Sequence, residues 1–147
     1  MNLSKGVKTT RVMNAVAAGV SDQNSSSVNM ANFESVLFVA ALGTLTAGQV
    51  TNMKAQQSDD DGVSDAWSDL LGTLTAAMDD GDSDKLIQLD IVKPRKQYVR
   101  AVLVRATQNA VIDGIVAYQY SPLKLPTTHD SSVQDTETHI SPAEGTA

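Results

Sequence analysis

Apolar and polar positions alternate with a period of two over most of the chain, and that period predicts strands. The clearest case is Lys85 to Val92, where Ile87, Leu89 and Ile91 share one face while Gln88 and Asp90 share the other. Tyr98 to Arg105 sets Val99, Ala101 and Leu103 against Tyr98, Arg100, Val102 and Val104. Both of its faces are partly apolar, so a central strand is expected, with Arg100 and Arg105 reaching an edge or a partner. Glu34 to Leu42 is apolar on both faces and reads as an interior strand. Val111 to Tyr120, Gln49 to Gln56 and Arg11 to Ala18 complete a set of about six.

Breaks fall at 21–27, 43–48, 58–62, 79–84, Lys93-Pro94-Arg95, 107–109 and Ser121-Pro122. Turn signals at intervals of about ten residues between such runs predict an all-β protein, a single β-sandwich or jelly-roll-like domain. One segment departs from the pattern. Trp67, Leu70, Leu71, Leu74 and Met78 have helical spacing, and Ser64 or Asp65 is a suitable N-cap. Gly72, Thr73 and Thr75 each weaken a helix interior by some tenths to about 1 kcal/mol, so an irregular strand is the favoured reading. The domain is expected over residues 11–126, flanked by an N-terminal arm (1–10) and an extended polar C-terminal arm (127–147). The latter is rich in Ser, Thr, Asp and Glu and has little to bury.

Composition narrows the chemistry. The chain has 147 residues, 41% of them hydrophobic, but only Phe33, Phe38, Trp67, Tyr98, Tyr118 and Tyr120 are aromatic. Val, Leu, Ile, Ala and Met must therefore fill the core. Cysteine is absent, which removes disulfides, thiol catalysis and cysteine-ligated metals. A net charge of −6 argues against a general nucleic-acid coat, since phosphate binding relies on Lys and Arg. The longest apolar run, Val36 to Leu42, is far short of the roughly 20 residues a spanning helix needs. Asn14 interrupts the apolar stretch at 12–18, so a signal peptide is not expected and a cytosolic site of synthesis is.

Nine of the seventeen acidic residues lie between Ser58 and Asp84. An EF-hand register with Gly62 at position six places Gln57 first and Ser68 twelfth, and the Gly81 register places Ala76 first; both fail the template. Turn residues bonding their own backbone account for these acids more simply. Asp90 and Asp113 are the acids best placed on strands, both expected on solvent faces or at a turn. The two histidines, His129 and His139, fall in the polar tail, and no nucleophile elbow, phosphate loop or zinc-binding helix motif is present. No catalytic, cofactor-binding or metal-ligating residue is expected, and no cofactor. Lys93, Arg95, Lys96, Arg100 and Arg105 form the one basic cluster. It admits three readings: a nucleic-acid stripe, pairing with the acidic loops, and docking to an acidic partner.

The motifs E-S-V-L-F-V-A-A-L-G-T-L-T-A-G-Q-V (Glu34–Val50), Q-S-D-D-D-G (Gln57–Gly62) and W-S-D-L (Trp67–Leu70) come in order along the chain. They are followed by K-P-R-K-Q-Y-V-R (Lys93–Arg100) and V-I-D-G-I-V-A-Y-Q-Y-S-P (Val111–Pro122). In this order they resemble a group of small structural proteins of tailed bacteriophages, over roughly 60% of the chain. The chain departs from that pattern by three residues around Val63-Ser64-Asp65. The resemblance implies a β-sandwich without catalytic residues, a virion structural protein that decorates and stabilises the capsid shell. A connector, neck or tail-associated component of the same particle is the alternative. The expected partners are the major capsid protein, bound through Lys93, Arg95, Lys96 and Arg100, and further copies of the chain in a trimer or dimer. Nucleic acid and membrane are not expected as partners. The expected location is the capsid exterior, after assembly in a host bacterial cytoplasm. A carbohydrate- or ion-binding β-sandwich module rests only on Trp67 and the acidic loops.

Overall fold

The period-two segments become the strands of two antiparallel sheets packed face to face, an all-β sandwich, in a computed structural model that describes residues 2–146. The elements in chain order are a one-turn helix α1 (Leu3–Gly6), β1 (Lys8–Met13), β2 (Val16–Gly19), β3 (Gln23–Asn24), β4 (Val28–Asn29), β5 (Phe33–Leu45), β6 (Val50–Ser58), β7 (Ser68–Asp69), β8 (Leu86–Val92), β9 (Tyr98–Ala106) and β10 (Ala110–Pro122). One sheet has the order β1-β10-β5-β8, with β2 beside the first half of β10. The other has the order β3-β9-β6-β7, with β4 also on β9. Arg11 to Ala18, expected as one strand, is split at Asn14-Ala15 into β1 and β2, which flank opposite halves of β10.

Alternation determines what is buried. Val36, Phe38, Ala40 and Leu42 of β5, with Ile87 and Ile91 of β8, face Met53 and Ala55 of β6 and Val99, Ala101 and Leu103 of β9. Ile112 and Ile115 of β10 are both fully buried although three apart, which a flat strand forbids. A register shift between Ile112 and Gly114 restores the parity. Gly114 makes that shift possible: its φ is +148°, and a Cβ there would stand 3.0 Å from the Met13 carbonyl oxygen.

Arg105 corrects the expectation of an edge or partner contact. It continues the inward parity of β9 and is 3% exposed. Its Nε donates to the Ser21 carbonyl at 2.8 Å, and its Nη1 donates to the carbonyls of Ala17 (3.0 Å) and Ala110 (2.8 Å). One guanidinium on the second sheet thus gathers three carbonyls from β2, the turn after it and the start of β10. Burial pushes its pKa down from the ordinary value, and the nearby Asp22 carboxylate opposes that.

The 64–78 segment is not a helix. After β7 it runs irregularly along the free side of β6, where Leu70, Thr75 and Met78 N–H groups donate to the carbonyls of Ala55, Met53 and Thr51. In return the N–H groups of Met53 and Ala55 donate to the hydroxyls of Thr75 (3.0 Å) and Thr73 (3.2 Å). Leu70 and Met78 pack on the core while Leu71 and Leu74 stay exposed, so the helical spacing does not mark a buried stripe.

At the opposite side, residues 127–132 cover the outer edge of β1. Thr127 N–H donates to Lys5 O and Asp130 N–H to Thr9 O, while Thr9 and Arg11 N–H donate to His129 Nδ1 and Ser132 Oγ. Residues 1–10, expected as an arm, supply α1 and the first part of β1.

Candidate interaction surface

The acidic turn after β6 is closed by its own side chains. Asp60 accepts from the N–H groups of Val63, Ser64 and Asp65 at 3.1, 2.7 and 3.0 Å. Ser58 Oγ accepts from Gly62 N–H and donates to the Asp65 carbonyl. These acids act as turn residues that bond their own backbone. Desolvation raises the Asp60 pKa, but the three backbone donors outweigh it and hold the carboxyl below its ordinary value. Asp65 is held low mainly by Lys96, and also by the N–H of Asp59; Lys96 is raised in turn by Asp65. A carboxyl with a lowered folded pKa contributes stability that is complete above the unfolded value, about 3.9, and is lost as pH falls through the folded one. Acidification through the lowered carboxyl pKa values, below the ordinary aspartate range, should therefore release this turn. Trp67 reports on it, because the indole rests against Gly62 and lies under the Arg100 guanidinium, 4.4 Å from the ring centroid. Its fluorescence should be flat from neutral pH through the ordinary aspartate range and change only below it, as the lowered carboxyls protonate; a signal unchanged down to full protonation of the carboxyls would show that Asp60 and Asp65 do not hold the turn.

These contacts divide the basic cluster. Lys96 is tied to Asp65 and, at 3.6 Å, to Asp59. Arg100 donates through Nε and Nη2 to Gln56 Oε1 at 2.9 and 2.7 Å and covers one face of Trp67. Both are thus engaged within the chain. Lys93 and Arg95, on the turn between β8 and β9, are exposed and have no ion-pair partner among the described residues.

Sequence reasoning missed a larger feature, the outer face of the first sheet. Leu37 of β5 lies beside Tyr118 of β10, Val39 beside Val116, and Ala41 beside Leu86 of β8. Leu37, Val39, Ala41, Val116 and Tyr118 are each partly exposed, Tyr118 being bordered by Leu3, Val7, His129 and Val133, and Leu86 and Val92 are 58% and 62% exposed; on the same face Tyr120 Oη donates to Asp90 across β5. Where β5 begins, this face meets the basic turn. Lys93 N–H donates to Glu34 O on one side of β5, and Leu123 N–H donates to Asn32 O on the other. Val92, Leu123 and Leu125 are exposed apolar side chains at that end, near Lys93, Arg95 and Lys124. The signal for this face was the two-sided apolar character of residues 34–42. For Leu123 and Leu125 the sequence offers no periodic signal.

No protein-family model and no curated protein matches the chain. Among solved structures it is similar to chitosan-binding module 1 derived from a chitosanase/glucanase of Paenibacillus sp. IK-5. That match has 19% identity over 80% of this chain and 98% of the module, with a TM-score of 0.43. A likeness at that level carries no inference about ligand or partner.

Proposed function

We propose that this chain is a non-enzymatic structural protein of a tailed-phage virion, one that decorates the capsid shell and stabilises it by contacting several major capsid protein subunits. The observation that carries the reading is the partly exposed apolar strip of Leu37, Val39, Val116 and Tyr118, which runs toward the cationic turn of Lys93 and Arg95. An apolar strip on a sheet face with a charged rim suits a protein partner better than a small molecule, which prefers a concave pocket. The resemblance of Glu34 to Pro122 to phage structural proteins supplies the identity of that partner.

Stabilisation follows from mass action. A domain that binds the assembled lattice and not the separated subunits shifts the equilibrium toward the lattice, and many modest contacts on one particle add through multivalency. The test uses undecorated shells and the full chain. Replacing Lys93 and Arg95 with Glu leaves the Lys96–Asp65 pair intact. It should weaken shell binding by roughly tenfold and flatten its dependence on salt. Binding of the double variant at full strength and with unchanged salt dependence would overturn the docking surface. Copy number in intact particles checks the location: occupancy across the whole lattice fits decoration, and a single ring of copies fits a connector instead.

A further inference from the structure

The sandwich has four sheet edges, and the chain protects three of them. Residues 127–132 cover β1, the irregular 70–78 segment covers β6, and the side of β9 away from β6 carries only β3 and β4, each two residues long. The fourth edge, β8, is bare. Lys85 O accepts from Leu42 N–H and Lys93 N–H donates to Glu34 O, so in the antiparallel pairing with β5 the odd-numbered residues of β8 turn their backbone groups inward. Leu86, Gln88, Asp90 and Val92 therefore turn theirs outward, and among the described residues no hydrogen bond reaches them. All four residues are exposed. Edge strands are ordinarily blunted by Pro, Lys, a bulge or short length. Leu86–Val92 is seven residues long with a continuous register; it has no Pro, Lys or bulge within it, its one charge is Asp90, and Lys85 and Lys93-Pro94 lie just beyond its ends.

We infer that β8 pairs with β8 of a second copy of this chain, antiparallel about a two-fold axis at Leu89, so that the first sheets of two protomers form one continuous sheet. The register selects itself. Only even-numbered residues have free backbone groups, so even must face even. With the axis at Leu89, Leu86 lies opposite the partner's Val92 and Gln88 opposite the partner's Asp90. An apolar pair and an amide–carboxylate pair then each occur twice, on the exposed face, the Asp90 carboxylate accepting from Gln88 beside the Tyr120 hydroxyl that it already accepts from, and these are the four residue pairs able to exchange hydrogen bonds. Shifting by two in one direction sets Asp90 against Asp90. Shifting in the other sets Leu86 against Asp90. A two-fold contact must be complementary to itself, and this strand is so in one register only. Pairing also extends the apolar face of Leu37 and Val39 across the axis. The inference does not depend on the virion reading.

A single strand pair is smaller than a standard interface of about 1,600 Å², so association should depend on concentration. Sedimentation velocity of the full chain should show a monomer–dimer equilibrium. Gln88→Lys places a cation opposite Asp90 twice per dimer and should tighten the dimer several-fold; Gln88→Asp places like charges there and should weaken it by roughly tenfold. Both substitutions lie on an exposed side chain, so the fold survives them. Because the chain has no cysteine, Leu89→Cys introduces the only thiol, and mild oxidation should join it to its symmetry mate faster than it joins Gln88→Cys. A wild-type monomer even at about 1 mM, or Gln88→Lys and Gln88→Asp shifting the equilibrium in the same direction, would overturn the proposal.

Discussion

Arg105→Met is expected to lower the stability of the domain by about 3 kcal/mol, seen as a Tm drop of about 6–12 °C. Methionine fills much of the same volume, so the loss comes from the head group and not from a cavity. In the wild type the guanidinium satisfies the carbonyls of Ala17, Ser21 and Ala110. Without it three carbonyls lose their donor beside a side chain that is 3% exposed. Each buried orphan costs on the order of 1–3 kcal/mol, and local water recovers part of the sum. Arg105→Lys should recover little, because one ammonium cannot reproduce the planar fork that reaches β2, its following turn and β10 together. An Arg105→Met protein with a wild-type Tm would mean that these carbonyls find other donors and that the clamp is dispensable.

The same residue shows where sequence reasoning succeeds and where it stops. Val99, Ala101, Leu103 and Arg105 lie on one face of β9 by period two, yet Arg105 is expected at an edge or partner because a charge at an inward position reads as leaving the core. Its partners were not legible, because a backbone carbonyl leaves no mark in sequence and the chain segments concerned lie up to 88 residues away. Strands with a polar and an apolar face, such as β8, were readable almost to their ends. Arg11 to Ala18 was harder, since its division into two strands depends on the break in pairing at Asn14-Ala15 and on β10 being long enough to pair with both. The apolar outer face of the first sheet was half legible. Residues 34–42 are apolar on both sides, which implies cover on both sides, but sequence cannot tell whether that cover belongs to the same chain. Leu37 and Val39 are only partly covered within this chain. The basic cluster looked uniform as a string of letters. Folding divides it by reach, since Lys96 and Arg100 stand within bonding distance of Asp65 and Gln56 while Lys93 and Arg95 do not.

Replacing Thr73 and Thr75 together with valine is expected to cost about 2–4 kcal/mol and to loosen the whole 70–78 segment. Valine keeps the shape and β-branching of threonine, so backbone preference barely changes. Only the hydroxyls go, and they are what the N–H groups of Ala55 and Met53 donate to. In an ordinary strand pair those donors would meet main-chain carbonyls. The path of this segment presents side-chain oxygens instead, while returning the N–H of Thr75 to the Met53 carbonyl. Gly72, with φ at +75°, sits between Leu70 and this pair and allows the departure from regular pairing. The residues that weaken a helix over 64–78 are therefore the same ones that bind the segment to β6. Hydrogen exchange checks the mechanism: amides of Met53 and Ala55 should lose protection in the double valine variant, and Thr73→Ser with Thr75→Ser should retain it. Equal protection in the valine and serine variants would show that burial of Leu70 and Met78 holds the segment and that the hydroxyls only follow.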